Sequence, residues 1–312
     1  MNRVWIVLAS LFLAGVAVAA PPETVRLALN WKAEPQFGGF YAAATLGLYQ
    51  QHDLAVDVIE GGSGAPTIQI VGAGQVEYAV VSADEVVISH ERGAGNVVAL
   101  FATYQTNPQA IMAHRERGFA SLEDLLKGDG LLLWQSGLPY AQFLTRKYAP
   151  LGVRTAPYPG GIGNFQNDPQ LSQQCFYTSE PLIAQRAGLE VDTFLVADSG
   201  YNPYTTVLVT TRERLESHPE EVRRMVAAVR AGWEAYLADP ARTNSAMGQI
   251  NKAMDAQTFS ESASVQVPLI QPPGLERLGA MTLERWQLLV QQLRELKVIR
   301  KDLAADRLFV DL

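Results

Sequence analysis

From Val25 to Ala197 one pattern recurs: a short apolar or alternating run, a turn rich in glycine or proline, then residues whose apolar members return at helical spacing. Val25, Leu27 and Leu29 alternate with Arg26, Ala28 and Asn30, and Phe40, Ala43, Ala44 and Leu48 then mark a helix face. Leu54 to Ile59, Tyr78 to Val81 and Val97 to Tyr104 predict further strands, with helices over Thr67 to Ala73 and Ala83 to Arg92 between them. Strands that alternate with helices predict parallel pairing through right-handed crossovers, which restricts the chain to doubly wound α/β sheets.

A second set starts near Pro108. "AIMAH" and "LLLW" predict strands, and Ser121 with Asp124 resembles a capping box closed by Gly128. A helix over Leu138 to Tyr148, another after Glu180 and a strand Thr193 to Ala197 complete a second α/β unit. After "YTTVLVTT" the sequence is helical to its end, and Ser217 with Glu220 predicts a further capping box. The predicted fold class is therefore α/β: two doubly wound lobes with a hinge, an interlobe cleft and a helical C-terminal segment. Residues 20–106 and 203–312 are expected to form the first lobe and 107–202 the second, with crossings near Tyr104 to Ala110 and Ser199 to Thr206. Ligands in such sheets bind beyond the carboxyl ends of the strands.

"MNRVWIVLASLFLAGVAVAA" carries Arg3, an apolar run and an Ala17-x-Ala19 pattern, which predicts a cleaved leader over residues 1–19. Removing Arg3 takes the formal charge from −7 to −8, and such an acidic chain does not attract nucleic acid. One cysteine, Cys175, forms no internal disulfide, so the core must hold the fold. The four histidines show no metal-ligand spacing, and no nucleophile elbow, phosphate loop or dinucleotide motif is present, so neither metal, cofactor nor catalysis is expected.

The loops at the strand ends supply the candidate ligand contacts. Asn30 and Trp31 follow the first strand, and the indole offers either core packing or, preferably, a stacking face in the cleft. Ser63 lies in a "GGSG" turn whose glycines could let backbone approach a guest. Ser82 with Glu85 could cap a helix or bind, and Asp84 could grip a guest or complement the helix dipole. Tyr104, Gln105 and Tyr201 lie at the crossings, and Ser136 and Tyr140 follow "LLLW". Phe176 is expected in the core, and Cys175 as a small buried thiol. Glu180 stands just before Pro181, which favours the first helical position; Ser179 is the better cap, which leaves the Glu180 carboxylate spare for a donor in the cleft.

"LNWKAEPQFGGFYAA", "ALFATYQTNPQAIMAH", "FYTSEPLIAQRAG" and "YNPYTTVLVTTRERL", in this order, resemble the periplasmic substrate-binding proteins of ABC transporters, specifically the ThiY-like binders of thiamine pyrimidine precursors, which are related to nitrate and sulfonate binders. The resemblance runs from about Val25 to about Ala238. It implies a soluble periplasmic monomer that closes on a small molecule and delivers it to a membrane permease served by an ATPase subunit. By position it places Trp31 and Tyr41 near the ligand from one lobe and Glu180 from the other. An anionic sulfonate or nitrate, or a flavin, is the alternative ligand. A pyrimidine-synthesising enzyme of the same superfamily is the alternative of another class, and its cysteine cluster is represented here by Cys175 alone.

Overall fold

The computed structural model describes residues 24–62, 64–93 and 96–312, so the expected leader and Ser63 lie outside the described residues. Among the described residues ten strands form two five-stranded sheets. The first contains β1 (Thr24–Ala28), β2 (Ala55–Ile59), β3 (Tyr78–Val81), β4 (Val97–Tyr104) and, after a long excursion, β10 (Thr205–Thr211). Its order is β2-β1-β3-β10-β4. The second contains β5 (Gln109–His114), β6 (Leu131–Trp134), β7 (Arg154–Pro157), β8 (Leu171–Phe176) and β9 (Val191–Leu195), in the order β7-β6-β8-β5-β9.

The expected parallel pairing holds for β1 with β2 and β3, and for β6 with β7 and β8. It fails for β10, antiparallel to β3 and β4, and for β5, antiparallel to β8 and β9. These are the strands next to the crossings. A chain that leaves one sheet and returns from the other enters against the run of its neighbours. Thr206, at that re-entry, has φ of 54°, a sparsely populated region for a β-branched residue.

The helices are α1 (Gly38–Thr45), α2 (Leu48–Gln51), α3 (Thr67–Gly72), α4 (Ala83–Glu91), α5 (Leu122–Lys127), α6 (Pro139–Tyr148), α7 (Gly163–Asn167) and α8 (Glu180–Arg186). The C-terminal part adds α9 (Arg212–Ser217), α10 (Pro219–Ala238), α11 (Ala241–Ile250), α12 (Ala256–Val265), α13 (Val267–Ile270) and α14 (Leu283–Glu295). The Ser217 capping box does not form. Ser217 ends α9 and donates to the Glu213 carbonyl at 2.7 Å, which leaves His218 as the residue before α10. Ser121, in contrast, caps α5 by accepting from the Asp124 amide at 3.1 Å.

Every residue of β4 is buried although it ends the sheet, because β10 pairs with it on one side and bridges to Phe309 and Gly279 cover the other. α10 turns Val222, Met225, Val226, Val229, Trp233 and Tyr236 inward. Its aromatics fix the role of Gly38 and Gly39: a Cβ on Gly38 would lie 2.1 Å from the Tyr236 ring and one on Gly39 2.2 Å from the Trp233 ring. These glycines therefore admit a close helix contact.

Candidate functional site

Glu180 begins α8 directly after the turn that leaves β8. Its Oε2 accepts from the Phe176 amide at 2.8 Å and its Oε1 from the Tyr158 hydroxyl at 3.0 Å. The carboxylate is thus spare only in part, because two of its roughly four acceptor positions are filled from within the second lobe. Burial pushes its pKa up, and the Phe176 amide and Tyr158 hydroxyl pull it back.

The facing wall carries a second acid. After β1 the chain turns, and the Trp31 indole N–H donates to Glu34 Oε1 at 3.2 Å while the ring stays 37% exposed. Glu34 precedes Pro35, as Glu180 precedes Pro181, and its backbone carbonyl accepts from the Phe37 amide at 2.8 Å to open the short 3-10 turn Pro35–Phe37. The turn is anchored from behind: Gln266 donates to the Pro35 carbonyl at 3.1 Å and Asn251 to the Ala33 carbonyl at 3.2 Å. Burial foremost, and then the negative charge of Glu180, lift the Glu34 carboxyl to about 7. Glu34, in the first lobe, thus lies within electrostatic reach of Glu180 in the second. Glu60 adds a third negative charge and accepts from the Ala33 amide at 2.8 Å.

An aromatic contact lies beside the two acids. Tyr104 meets Phe176 edge to face with centroids 6.3 Å apart, and its hydroxyl donates to Gln266 at 2.6 Å. Phe176, expected in the core, is half-buried at this contact. Cys175 behind it is buried, as expected.

The other expected contacts are placed as follows. Asn30 is half-buried beside Trp31, and Tyr41 is buried in α1 within the first core. Ser82 gives both its amide and its hydroxyl to Glu85 Oε2, each at 2.8 Å, so its hydroxyl serves the start of α4. Asp84 accepts from the Glu85 amide at 3.0 Å and from the Tyr201 hydroxyl at 3.4 Å, a polar pair at the crossing. Gln105 gives its side-chain amide to the Ala102 and Ala280 carbonyls. Tyr140 donates to Gln174 at 2.6 Å against Trp134, while Ser136 is exposed. Gly61 holds its turn against the strand, since a Cβ there would fall 2.1 Å from the Leu29 carbonyl oxygen. Trp31 and Glu180 are thus related through Glu34, which accepts from the one and feels the charge of the other, whereas the polar groups of Ser82, Tyr104, Gln105 and Tyr140 are engaged elsewhere.

Glu34 and Tyr158 were not anticipated from sequence. The repeated Glu-Pro pair was the available signal for Glu34; for Tyr158 it was an aromatic inside the turn-rich "PYPGGIGN". No cluster of three metal-ligating side chains occurs among the described residues, and none of their helices is long and apolar enough to cross a membrane.

Two α/β lobes joined by two crossings define the periplasmic-binding-protein fold. The chain resembles the periplasmic aliphatic sulphonate binding protein SsuA from Escherichia coli, at 13% identity over 93% of this chain and 94% of that one, with a TM-score of 0.71. It also resembles a Candida albicans protein with the generic periplasmic binding protein fold, at 12% identity over 93% and 96%, with a TM-score of 0.61. The chain belongs to the NMT1/THI5-like family, whose model matches residues 34–148 and 170–243. A curated relative, 4-amino-5-hydroxymethyl-2-methylpyrimidine phosphate synthase from Legionella pneumophila, is 24% identical over 111 residues, which is 36% of this chain and only 35% of that protein.

Proposed function

We propose that this chain is an exported solute-binding protein that captures a small nitrogen heterocycle between its lobes and delivers it to an ABC importer. The observation that carries this is the Glu180 carboxylate held at the start of α8, with the half-exposed Trp31 indole on the other wall. A flat ring stacked on the indole would give its N–H to Glu180, a charge-assisted bond of about 1.5–3 kcal/mol. In this reading residues 20–106 and 203–312 form the ligand's first wall and 107–202 its second, a leader directs the chain to the periplasm, and the protein acts as a monomer.

Two alternatives are weaker. A sulfonate or nitrate would meet carboxyls on both walls, an electrostatic mismatch. Synthesis of a pyrimidine would call for activated groups. Cys175 is buried with its thiol pKa pushed up by burial, and His90 and His114 each have Nε2 engaged by a backbone carbonyl, of Val97 and Phe165.

A thermal-shift and calorimetric screen of 4-amino-5-hydroxymethyl-2-methylpyrimidine, riboflavin and an alkanesulfonate tests the assignment. The pyrimidine should stabilise the protein; stabilisation by the sulfonate alone would overturn it.

A further inference from the structure

We propose, resting on the binding role above, that Tyr158 is a positioning residue: its hydroxyl fixes the plane of the Glu180 carboxylate and thereby selects guests that carry an amino group. In this reading Tyr158 does not touch the guest and acts only through Glu180.

The carboxylate has two tethers of different origin. Its Oε2 accepts from the Phe176 amide at 2.8 Å, and that contact alone leaves the group free to turn about its last bond, a torsion with only broad preferences. The Tyr158 hydroxyl on Oε1, at 3.0 Å, stops that rotation. With each oxygen held, the plane is set, and about one acceptor position per oxygen is left for a guest. An acceptor fixed in advance loses less freedom when a donor arrives, which is how a support of this kind contributes to affinity.

Tyr158 is itself held. It follows β7 directly, and its half-buried ring packs against the second-lobe cluster that includes Met112, Ile162, Phe165 and Cys175. The hydroxyl also lies 3.2 Å from the Gly161 carbonyl, which the buried Gln173 of β8 holds through its side-chain amide at 3.1 Å. The chain returns to that point through positive φ at Gly160 and Gly161, 93° and 68°. A phenol has one proton, and the Glu180 carboxylate is both the nearer and the charged acceptor, so the proton is directed to it. Packing alone would be served by the ring, which phenylalanine supplies.

Tyr158→Phe therefore keeps the packing and removes the tether. Calorimetry should compare 4-amino-5-hydroxymethyl-2-methylpyrimidine with its counterpart lacking the amino group. The variant should bind the amino compound about fivefold more weakly than the wild type does, and the other compound equally well, because only the amino group meets Glu180. Equal losses for both compounds, or no loss for either, overturn the positioning role and leave the transport role intact. A readout without ligand is the carbon-13 resonance of the side-chain carboxyl that Glu180→Gln removes. The phenol favours the ionised carboxylate, so Tyr158→Phe should move that titration to higher pH, while Glu34 and Cys175, the other titratable groups that feel Glu180, are present in both proteins. If neither pyrimidine binds, the heterocycle assignment falls, and this titration decides here: one that does not move overturns the role of Tyr158. Should Tyr158→Phe fail to fold, tyrosine labelled at Cζ decides. One Cζ resonance of the wild type should shift as Glu180 titrates and lose that inflection in Glu180→Gln, and its absence from the wild type overturns the proposal.

Discussion

Glu180 is held by a backbone amide on one oxygen and a phenol on the other, so its charge can be removed while its shape is kept. Glu180→Gln should weaken binding of the hydroxymethylpyrimidine by roughly 10- to 150-fold by calorimetry, the equivalent of one lost charge-assisted bond. Glu34 makes a prediction about stability. Its carboxyl is raised, so the folded state favours its proton, and ionising it opposes folding increasingly as pH rises from about 4.5 to about 7. Glu34→Gln should therefore leave the melting temperature unchanged near pH 4.5 and raise it by about 2–4 °C at pH 8, once solvent screening has reduced the full shift. At this scale the sequence was half legible. Proline after glutamate marks Glu180 in the sequence, and the same pair marks Glu34, next to the more conspicuous Trp31. The commitment of the Tyr104 hydroxyl to Gln266 joins residues 162 positions apart, and no local pattern carries such a bond.

Among the elements, α1 and α10 are the most sensitive pair. Their contact depends on Gly38 and Gly39 receiving Tyr236 and Trp233, and both rings are buried without space to retreat. Gly39→Ala should destabilise the protein by about 1–3 kcal/mol in urea unfolding, the usual range for overpacking, although alanine is the better helix former. An unchanged midpoint would show that the helices slide apart freely. The alternation of strands and helices was readable because a period of 2 differs from one of 3.6. The direction of β5 and β10 was not, since periodicity is the same whichever way a strand runs. Only the crossings decide it.

For the molecule as a whole, the C-terminal segment links the lobes and does more than brace the first. Arg186 on α8 reaches both carboxylate oxygens of Asp255, at 2.6 and 2.7 Å, and Glu261 at 3.1 Å, and Ser262 donates to the Thr178 carbonyl at 2.5 Å. Asp255, held by Thr258 at the start of α12 and by Arg186, has its pKa lowered to about 2, so its charge in this link is fully present above the ordinary value of 3.8 and is lost as pH falls through about 2. Arg186→Ala should speed ligand release about fivefold, equivalent to about 1 kcal/mol for a partly exposed charge pair, and the difference should shrink at 1 M salt in stopped-flow measurements. The outer edge of β4 is closed by bridges from Ala99 to Phe309 and from Ala102 to Gly279. The second sheet draws all its strands from one stretch between Gln109 and Leu195, whereas the first is finished by residues near the very end of the chain. During synthesis the inserted half can therefore mature on its own, while the half that surrounds it waits for Phe309 and its neighbours to close the edge of β4.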